Sequence, residues 1–310
     1  NSSSAYDFYI RDSCGISDVS DWFGPETGST LCLPLSAPFI ETFDGSNYIP
    51  AVNFNDTGTI ASCWDRSNAI FYWTPGPPQF PAFNTGPSGD HTTGSGQYMF
   101  TDIGVGVFTP PFNASLVTPY IDLSPLTVPE LSFWYHMFGA GIGDLIVEID
   151  NGSGFTNLVT FSGQQQTAST DAWKESIVNL NSYANDTVRF RFRGVMPNIS
   201  FQSQHAIDDI SVQEAPSCPK PQGLNQIGIT TNSIRLDWTT GGATNWQIEY
   251  GTTGFTQGTG PVIMGITDSS YTLTGLTGNT TYDVYVRDSC STVKSPWYGP
   301  ITFTTSCDPI

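Results

Sequence analysis

Acidic side chains are the first candidates for chemistry in this sequence. Asp44 stands in "ETFDG", Asp90 in "GPSGDHTTG", and Asp208 and Asp209 are neighbours in "HAIDDI". Adjacent carboxylates repel one another unless a cation neutralises them, and hard oxygen donors suit Ca2+. Asp44, Asp90, Asp208 and Asp209 are therefore candidate ligands of a structural Ca2+ in a fold that brings their segments together, with Glu41 and Asp65 as candidate extra ligands. The plainer alternative is that Asp90 and Asp208 cap turns and accept backbone hydrogen bonds. A glycosidase would need two carboxyls roughly 5–9.5 Å apart across a cleft. Successive residues of a strand face opposite ways, which argues against Asp208 and Asp209 as such a pair. His91, His136 and His205 sit in no metal or nucleophile motif, and His136 lies inside the apolar run "FWYHMF". No G-x-S-x-G, H-E-x-x-H or Cys–His arrangement is present. The glycines of "TGPSGDHTTGSG" lack the Lys and the following helix of a phosphate cradle. No catalytic residue is expected.

A second candidate is the strip "NAIFYWTPGPPQFPAF", with Phe71, Tyr72, Trp73, Phe80 and Phe83 among prolines. Aromatic faces beside polar groups can stack on sugar rings or present a partner surface. They also serve as plain core, and both readings stand at this point.

The elements that would position these residues are strands. The 310 residues carry 12% charged side chains, 31 Gly and 22 Pro, a mixture of short strands and tight turns. Alternation is plain at Leu145, Val147 and Ile149, and at Val188, Phe190 and Phe192 against Arg189, Arg191 and Arg193. Ten Lys and Arg face 28 Asp and Glu, a formal charge of −18. That surface repels phosphates and anionic lipid, so neither nucleic acid nor membrane is an expected partner. No apolar run approaches the ~18 residues of a membrane span. Six cysteines, none in a zinc-like spacing, point to disulfides and an oxidising, extracellular place.

One text occurs twice. "YDFYIRDSC" starts at Tyr6 and "YDVYVRDSC" at Tyr282, and each continues to a further cysteine, Cys32 or Cys307. The repeated spacing predicts Cys14–Cys32 and Cys290–Cys307 bridges, leaving Cys63–Cys218 by elimination. One of that last pair as a buried free thiol is the alternative.

From residue 217 the alternating positions Ile234, Leu236, Trp238 and then Trp246, Ile248, Tyr250, followed by "LTGLTGNTTYDVYVR", resemble a fibronectin type III domain over residues 217–310. The resemblance implies Trp238 in the core of strand B and Tyr282 as a tyrosine corner. Residues 1–32 then resemble the F and G strands of a partial domain of the same type. Between them, residues 33–216 carry the acidic first strand, Cys63-Trp64, the "TGPSGDHTTGSG" loop, "LSFWYHMFG" and "AIDDI", in the order of MAM domains, which this segment resembles. The resemblance implies a jelly-roll β-sandwich, which would bring the segments of Asp44, Asp90, Asp208 and Asp209 together. It also implies an adhesive role between proteins, and a calcium ion near Asp209, which some MAM domains hold. The mixture is similar to tandem-repeat surface and secreted proteins of Bacteroidetes. The expectation is an all-β, non-catalytic, extracellular adhesion or scaffold segment of a large tandem-repeat or filament protein. Its partners would be cell-surface proteins or neighbouring copies of itself. The alternative is a carbohydrate-binding accessory region of a secreted hydrolase or peptidase, with glycans as partners.

Overall fold

The computed structural model describes residues 5–13, 19–29, 31–52, 56–67, 70–77, 84–104, 112–198 and 200–307. Its contacts divide the chain into two units, residues 1–214 and 215–310. Apart from a 3-10 turn at Asn181–Tyr183, the regular structure among the described residues is β-strand. The first unit opens with an antiparallel ribbon of β1 (Ala5–Ile10) and β2 (Phe23–Ser29). There follow β3 (Leu35–Ser36), β4 (Phe39–Glu41), β5 (Asp65–Arg66), β6 (Phe71–Gly76), β7 (Tyr98–Ile103), β8 (Phe112–Val117) and β9 (Ile121–Asp122). The unit ends with β10 (Pro129–Met137), β11 (Asp144–Asp150), β12 (Thr156–Ser162), β13 (Lys174–Asn179), β14 (Thr187–Met196) and β15 (His205–Glu214).

Two sheets form the body of this unit. One runs β13-β10-β15-β7-β6, with β4 paired to β15; the other runs β12-β11-β14-β8-β5, with β9 on β14 and β3 on β9. Strand periodicity decides what lies between them. Leu131, Phe133, Tyr135 and Met137 of β10 meet Leu145, Val147 and Ile149 of β11 and Val188, Phe190 and Phe192 of β14 in one buried cluster. The alternate residues of the second sheet face out and pair. Arg191 and Arg193 both reach Glu148, at 2.7 and 3.1 Å, while Arg189 reaches Asp150 at 2.9 Å. Burial alone would raise the Glu148 carboxyl, but the two guanidinium groups hold it below its usual range.

The second unit contains β16 (Gln222–Ile229), β17 (Ser233–Thr239), β18 (Trp246–Thr252), β19 (Val262–Ile266), β20 (Ser270–Thr274), β21 (Thr281–Cys290), β22 (Val293–Lys294) and β23 (Tyr298–Thr304). The sheets β16-β17-β20 and β19-β18-β21-β23 enclose Trp238, Trp246, Ile248, Val284 and Val286. The Tyr282 hydroxyl accepts the Thr277 N–H at 3.0 Å, the corner expected of it.

All three expected bridges are overturned, with Cys14 lying outside the described residues. The bonds formed are Cys32–Cys63 and Cys218–Cys290, and Cys307 is an exposed free thiol. The reason is the direction of the ribbon. Thr281 pairs with Thr304, so Cys307 lies at the start of β21 and Cys290 at its end. Ten residues of strand separate those ends by about 30 Å, whereas bridged cysteines need Cα atoms about 4.4–6.8 Å apart. Cys290 instead reaches Cys218 ahead of β16, with Cα atoms 5.7 Å apart, and Cys63 is taken by Cys32.

The Cys218–Cys290 bond spans 72 residues of sequence, which the chain-entropy relation converts to about 4 kcal/mol. Replacing both cysteines by Ala is expected to lower the melting temperature of the second unit by more than ~10 °C. Calorimetry of the full chain would resolve that transition from the first unit's.

Candidate functional site

The acidic residues converge on the outer face of the first sheet. β15 lies between β10 and β7 there, and its outward side chains have to be covered. Tyr98, Phe100 and Ala206 form a small second cluster with Trp173. Across it folds the glycine-rich loop that precedes β7. The Trp173 indole N–H donates to Gly89 O at 3.2 Å, and the His91 ring stacks on Trp134 with centroids 3.7 Å apart.

Strand alternation would send Asp208 and Asp209 to opposite faces. The pairing of β10 with β15 slips between Ser132 and Trp134, and Asp209 takes a φ of +47°. That bulge turns both carboxylates toward His91. Asp208 Oδ2 accepts the His91 backbone N–H at 2.9 Å, and Asp209 Oδ2 contacts His91 Nδ1 at 2.6 Å and the Thr92 hydroxyl at 2.6 Å. The opposed geometry inferred from simple alternation is thereby corrected.

Within the loop, Asp90 Oδ1 accepts the Gly96 N–H at 2.6 Å and Oδ2 the Thr93 N–H at 2.9 Å. Burial acts to raise Asp90, but these amides and the Thr93 hydroxyl outweigh it and hold the carboxyl below its usual range. Asp44 joins from the other side, its Oδ1 accepting the Gln97 N–H at 2.7 Å. Gly96 is the residue that lets the two approach. A Cβ there would lie 2.5 Å from Asp44 Oδ1 and 2.9 Å from Asp90 Oδ2. Asp208 is the costly member: burial first, then the charges of Asp209 and Asp90, push its carboxyl up to about 8. Asp44, Asp90, Asp208 and Asp209 thus all grip one loop from residue 90 to 97.

Glu41 and Asp65 are placed differently. Glu41 stands opposite Ile210, and its two oxygens accept the Phe43 N–H and the Tyr48 hydroxyl at 2.9 and 2.7 Å. Asp65 pairs opposite Val117 in the other sheet, so the two do not extend the loop cluster. Among the described residues, no three of the His, Cys, Asp and Glu side chains stand together as ligands of one metal ion. In this conformation the partners of the four aspartates are loop amide N–H groups, the Thr92 and Thr93 hydroxyls and His91 Nδ1.

Burial decides between the two readings of the aromatic strip at its first three members, in favour of core. Phe71, Tyr72 and Trp73 on β6 are 2, 4 and 0% exposed, and the Trp73 indole donates to Ala114 O at 2.9 Å. Side chains closed into the interior offer no stacking platform. Phe80 and Phe83 lie outside the described residues. What sequence reading passed over is the outer aromatic shelf of Trp134, Trp173 and Tyr98; spacing alone gives no signal for it, because it forms by the loop closing.

Two consequences can be measured. Gly96→Ala must separate Asp44 from Asp90 or shift the loop, and is expected to destabilise the first unit by about 1–3 kcal/mol in urea titration. His136 lies fully buried beside Trp173, their ring centroids 5.7 Å apart. Burial, opposed by the Asp171 charge, lowers it to about 4, and burial lowers His205 to about 3. As pH falls from about 6.5 toward 4, the unfolded chain takes up these protons before the folded one does. Folded stability is therefore lost across that window, by up to about 3 kcal/mol for His136. His136→Phe is expected to melt with a smaller drop between pH 7 and pH 4.5 than the parent chain does.

The sequence matches the MAM domain family (MAM domain, meprin/A5/mu) over residues 53–219 and the fibronectin type III domain over residues 219–304. It is 31% identical over 162 residues to "Thyroid hormone-induced protein B" of Xenopus laevis, covering 51% of this chain and 22% of that protein. It is 33% identical over 153 residues to "Neuropilin-1a" of Danio rerio, covering 48% of this chain and 16% of that one. The chain thus spans about a fifth of the length of these curated relatives. Both are animal proteins, and the expected likeness to Bacteroidetes surface proteins finds no support in them. Among solved structures, the K1 cleaved adhesin domain of Lys-gingipain from Porphyromonas gingivalis W83 is 20% identical with a TM-score of 0.39, covering 58% of this chain and 99% of that one. With its family match extending over more than half of its length, the chain belongs to the MAM domain family, and a fibronectin type III domain follows.

Proposed function

We propose that this chain is a non-catalytic, extracellular adhesion and scaffold segment whose MAM unit is the binding module and whose fibronectin unit is the spacer. The observation that carries the reading is two β-sandwich units, each closed by its own disulfide, with carboxylates committed to holding a loop. Disulfides of this kind persist in oxidising compartments, which supports a location outside the cell or on its surface. The partners are proteins: cell-surface proteins, or neighbouring copies in a tandem array or filament. Many weak sites on one stalk gain through effective concentration. The carbohydrate-binding alternative drew on the strip whose Phe71, Tyr72 and Trp73 are interior, and loses its platform there.

Calcium is part of the proposal. Asp208 and Asp209 would hold it together with Asp44 and Asp90 after a shift of the loop, since no three of them stand as ligands of one ion in this conformation. The ion would ionise Asp208 while fixing the loop whose His91 stacks on Trp134. With a net charge of −18, facing copies repel, and a divalent cation would also lower that barrier.

Beads coated with the full chain are expected to adhere to one another or to cell-surface protein in 1 mM-range CaCl2 and to disperse in EDTA. The melting temperature of the first unit is expected to rise with Ca2+, and Asp208→Ala with Asp209→Ala to remove that rise. Beads that stay dispersed on every surface offered, or saturable capture by a glycan array instead, would overturn the adhesion reading. An unchanged melting temperature in EDTA would remove calcium from it.

A further inference from the structure

The ribbon β1–β2 repeats the ribbon β21–β23 in register and in side-chain chemistry, yet its counterpart residues are uncovered. Tyr6 opposes Gly28, Asp7 opposes Thr27 and Phe8 opposes Glu26; then a bulge sets Ile10 opposite Phe23. In the second unit Tyr282 opposes Phe303, Asp283 opposes Thr302 and Val284 opposes Ile301, and a bulge sets Val286 opposite Tyr298. The Thr27 hydroxyl donates to Asp7 at 2.8 Å, as Thr302 donates to Asp283 at 2.6 Å. Arg11 lies over Trp22 at 4.5 Å, as Arg287 lies over Trp297 at 4.1 Å. The Asp12 N–H donates to Ser20 Oγ at 2.8 Å, as Asp288 N–H donates to Ser295 Oγ at 2.9 Å. These are local contacts, made whether or not anything packs on the ribbon.

Burial is where the two differ. Tyr282, Val284 and Val286 are 8, 0 and 0% exposed, within a cluster that includes Leu236, Trp238 and Leu273 of the facing sheet. Their counterparts Tyr6, Phe8 and Ile10 are 41, 57 and 69% exposed. Asp288 is fully buried and accepts the Ala243 N–H at 3.2 Å, while Asp12 is exposed. An isolated two-stranded ribbon is marginal in water, and three large apolar side chains on one side of it form a docking face.

We infer that the face of Tyr6, Phe8 and Ile10 is the acceptor for strands A to E of a fibronectin type III sandwich, supplied by polypeptide joined ahead of β1. The occupant is read from the second unit, where strands A to E (β16 to β20) cover the same pattern. The order is read there too, since β20 leads into β21 through the six residues 275–280. The covering strands would bring an apolar face to Phe8 and Ile10 and a backbone N–H to Asp12. They would also bring a cysteine to Cys14, which holds the place in the repeated text that Cys290 holds opposite Cys218. The Cys32–Cys63 bond then ties the completed domain to the MAM unit.

The test grafts a copy of residues 215–280 directly ahead of Ala5 in the full chain, replacing residues 1–4. Peptide mapping is expected to show the copied Cys218 bonded to Cys14. Hydrogen exchange is expected to slow by at least ~100-fold at the β1 amides that point away from β2. A free Cys14 with unchanged exchange would overturn the inference. A second measurement does not depend on the graft folding: Phe8→Ser with Ile10→Thr in the parent chain. On an uncovered face this pair leaves the first unit's melting temperature unchanged and lowers the binding of an apolar dye. A clear fall in melting temperature would mean that the face is already used within this chain, and would overturn the inference equally.

Discussion

A carboxylic acid buried on the outer face of a sheet must be given hydrogen-bond donors, and at Asp208 these come from one loop and one bulge. The residue is 1% exposed on the strand that β10, β7 and β4 all flank. An unpaired carboxylate there would carry a desolvation cost of several kcal/mol, so the amides of His91 and Asp209 are brought to it at 2.9 and 2.8 Å. Much of the outer face follows from that requirement. The loop has to lie flat across β15, so Gly89 and Gly96 sit where a side chain would collide with Gly94 O or with Asp44 and Asp90. His91 is carried onto Trp134, and Trp173 closes the edge through Gly89 O. A burial that costs energy locally thus fixes the placement of a loop that has little apolar surface of its own to pack with.

The two outward faces of the MAM unit meet this electrostatic problem in different ways. On the second sheet, Glu148 and Asp150 face arginines two residues apart on β14, and opposite charge settles them. These pairs are partly exposed, so each adds modestly to stability. On the first sheet no arginine or lysine faces Asp208 among its described partners; the donors are neutral amides, and the carboxyl is pushed up toward neutral pH. A face neutralised by arginine is complete as it stands. One met only by amide dipoles leaves its carboxyl shifted toward the neutral form, and that is the electrostatic difference between the two faces.

How much of this was legible in the sequence depends on how local the signal is. The alternation at Leu145–Ile149 and Val188–Phe192 gave strands and their inward faces because period two is a property of the strand itself. Trp238 and Tyr282 took the places that the fibronectin type III resemblance implied. The jelly-roll resemblance implied that the segments of Asp44, Asp90, Asp208 and Asp209 come together, whereas it did not show that they hold the loop through its amides, or that Glu41 and Asp65 stand apart from them. The bulge at Asp209 was not legible, since a single slipped pairing leaves no periodic trace. The disulfides were misread although the means to reject them was present. Antiparallel strands joined by a tight connection carry cysteines at those spacings to opposite ends, so repetition of a spacing argued for equivalence and not for contact. Phe71, Tyr72 and Trp73 were ambiguous because an aromatic run reads alike as core or as surface.

The two ribbons separate what a segment encodes alone from what its surroundings add. Arg11 over Trp22 and Arg287 over Trp297, with the two Thr–Asp bonds, show the same cross-strand pairs forming in both. Register is therefore written in the ribbon, through pairs worth roughly 0.2–1 kcal/mol each. Burial is not: Val286 is enclosed and Ile10 is open with the same neighbours in sequence. Taking the Phe8 and Ile10 side chains out of water would contribute about 1.5–3 kcal/mol each, more than any single pair that sets the register. The ribbon is thus specified by weak local contacts and awaits a larger apolar term, which is the condition of a surface built to be covered.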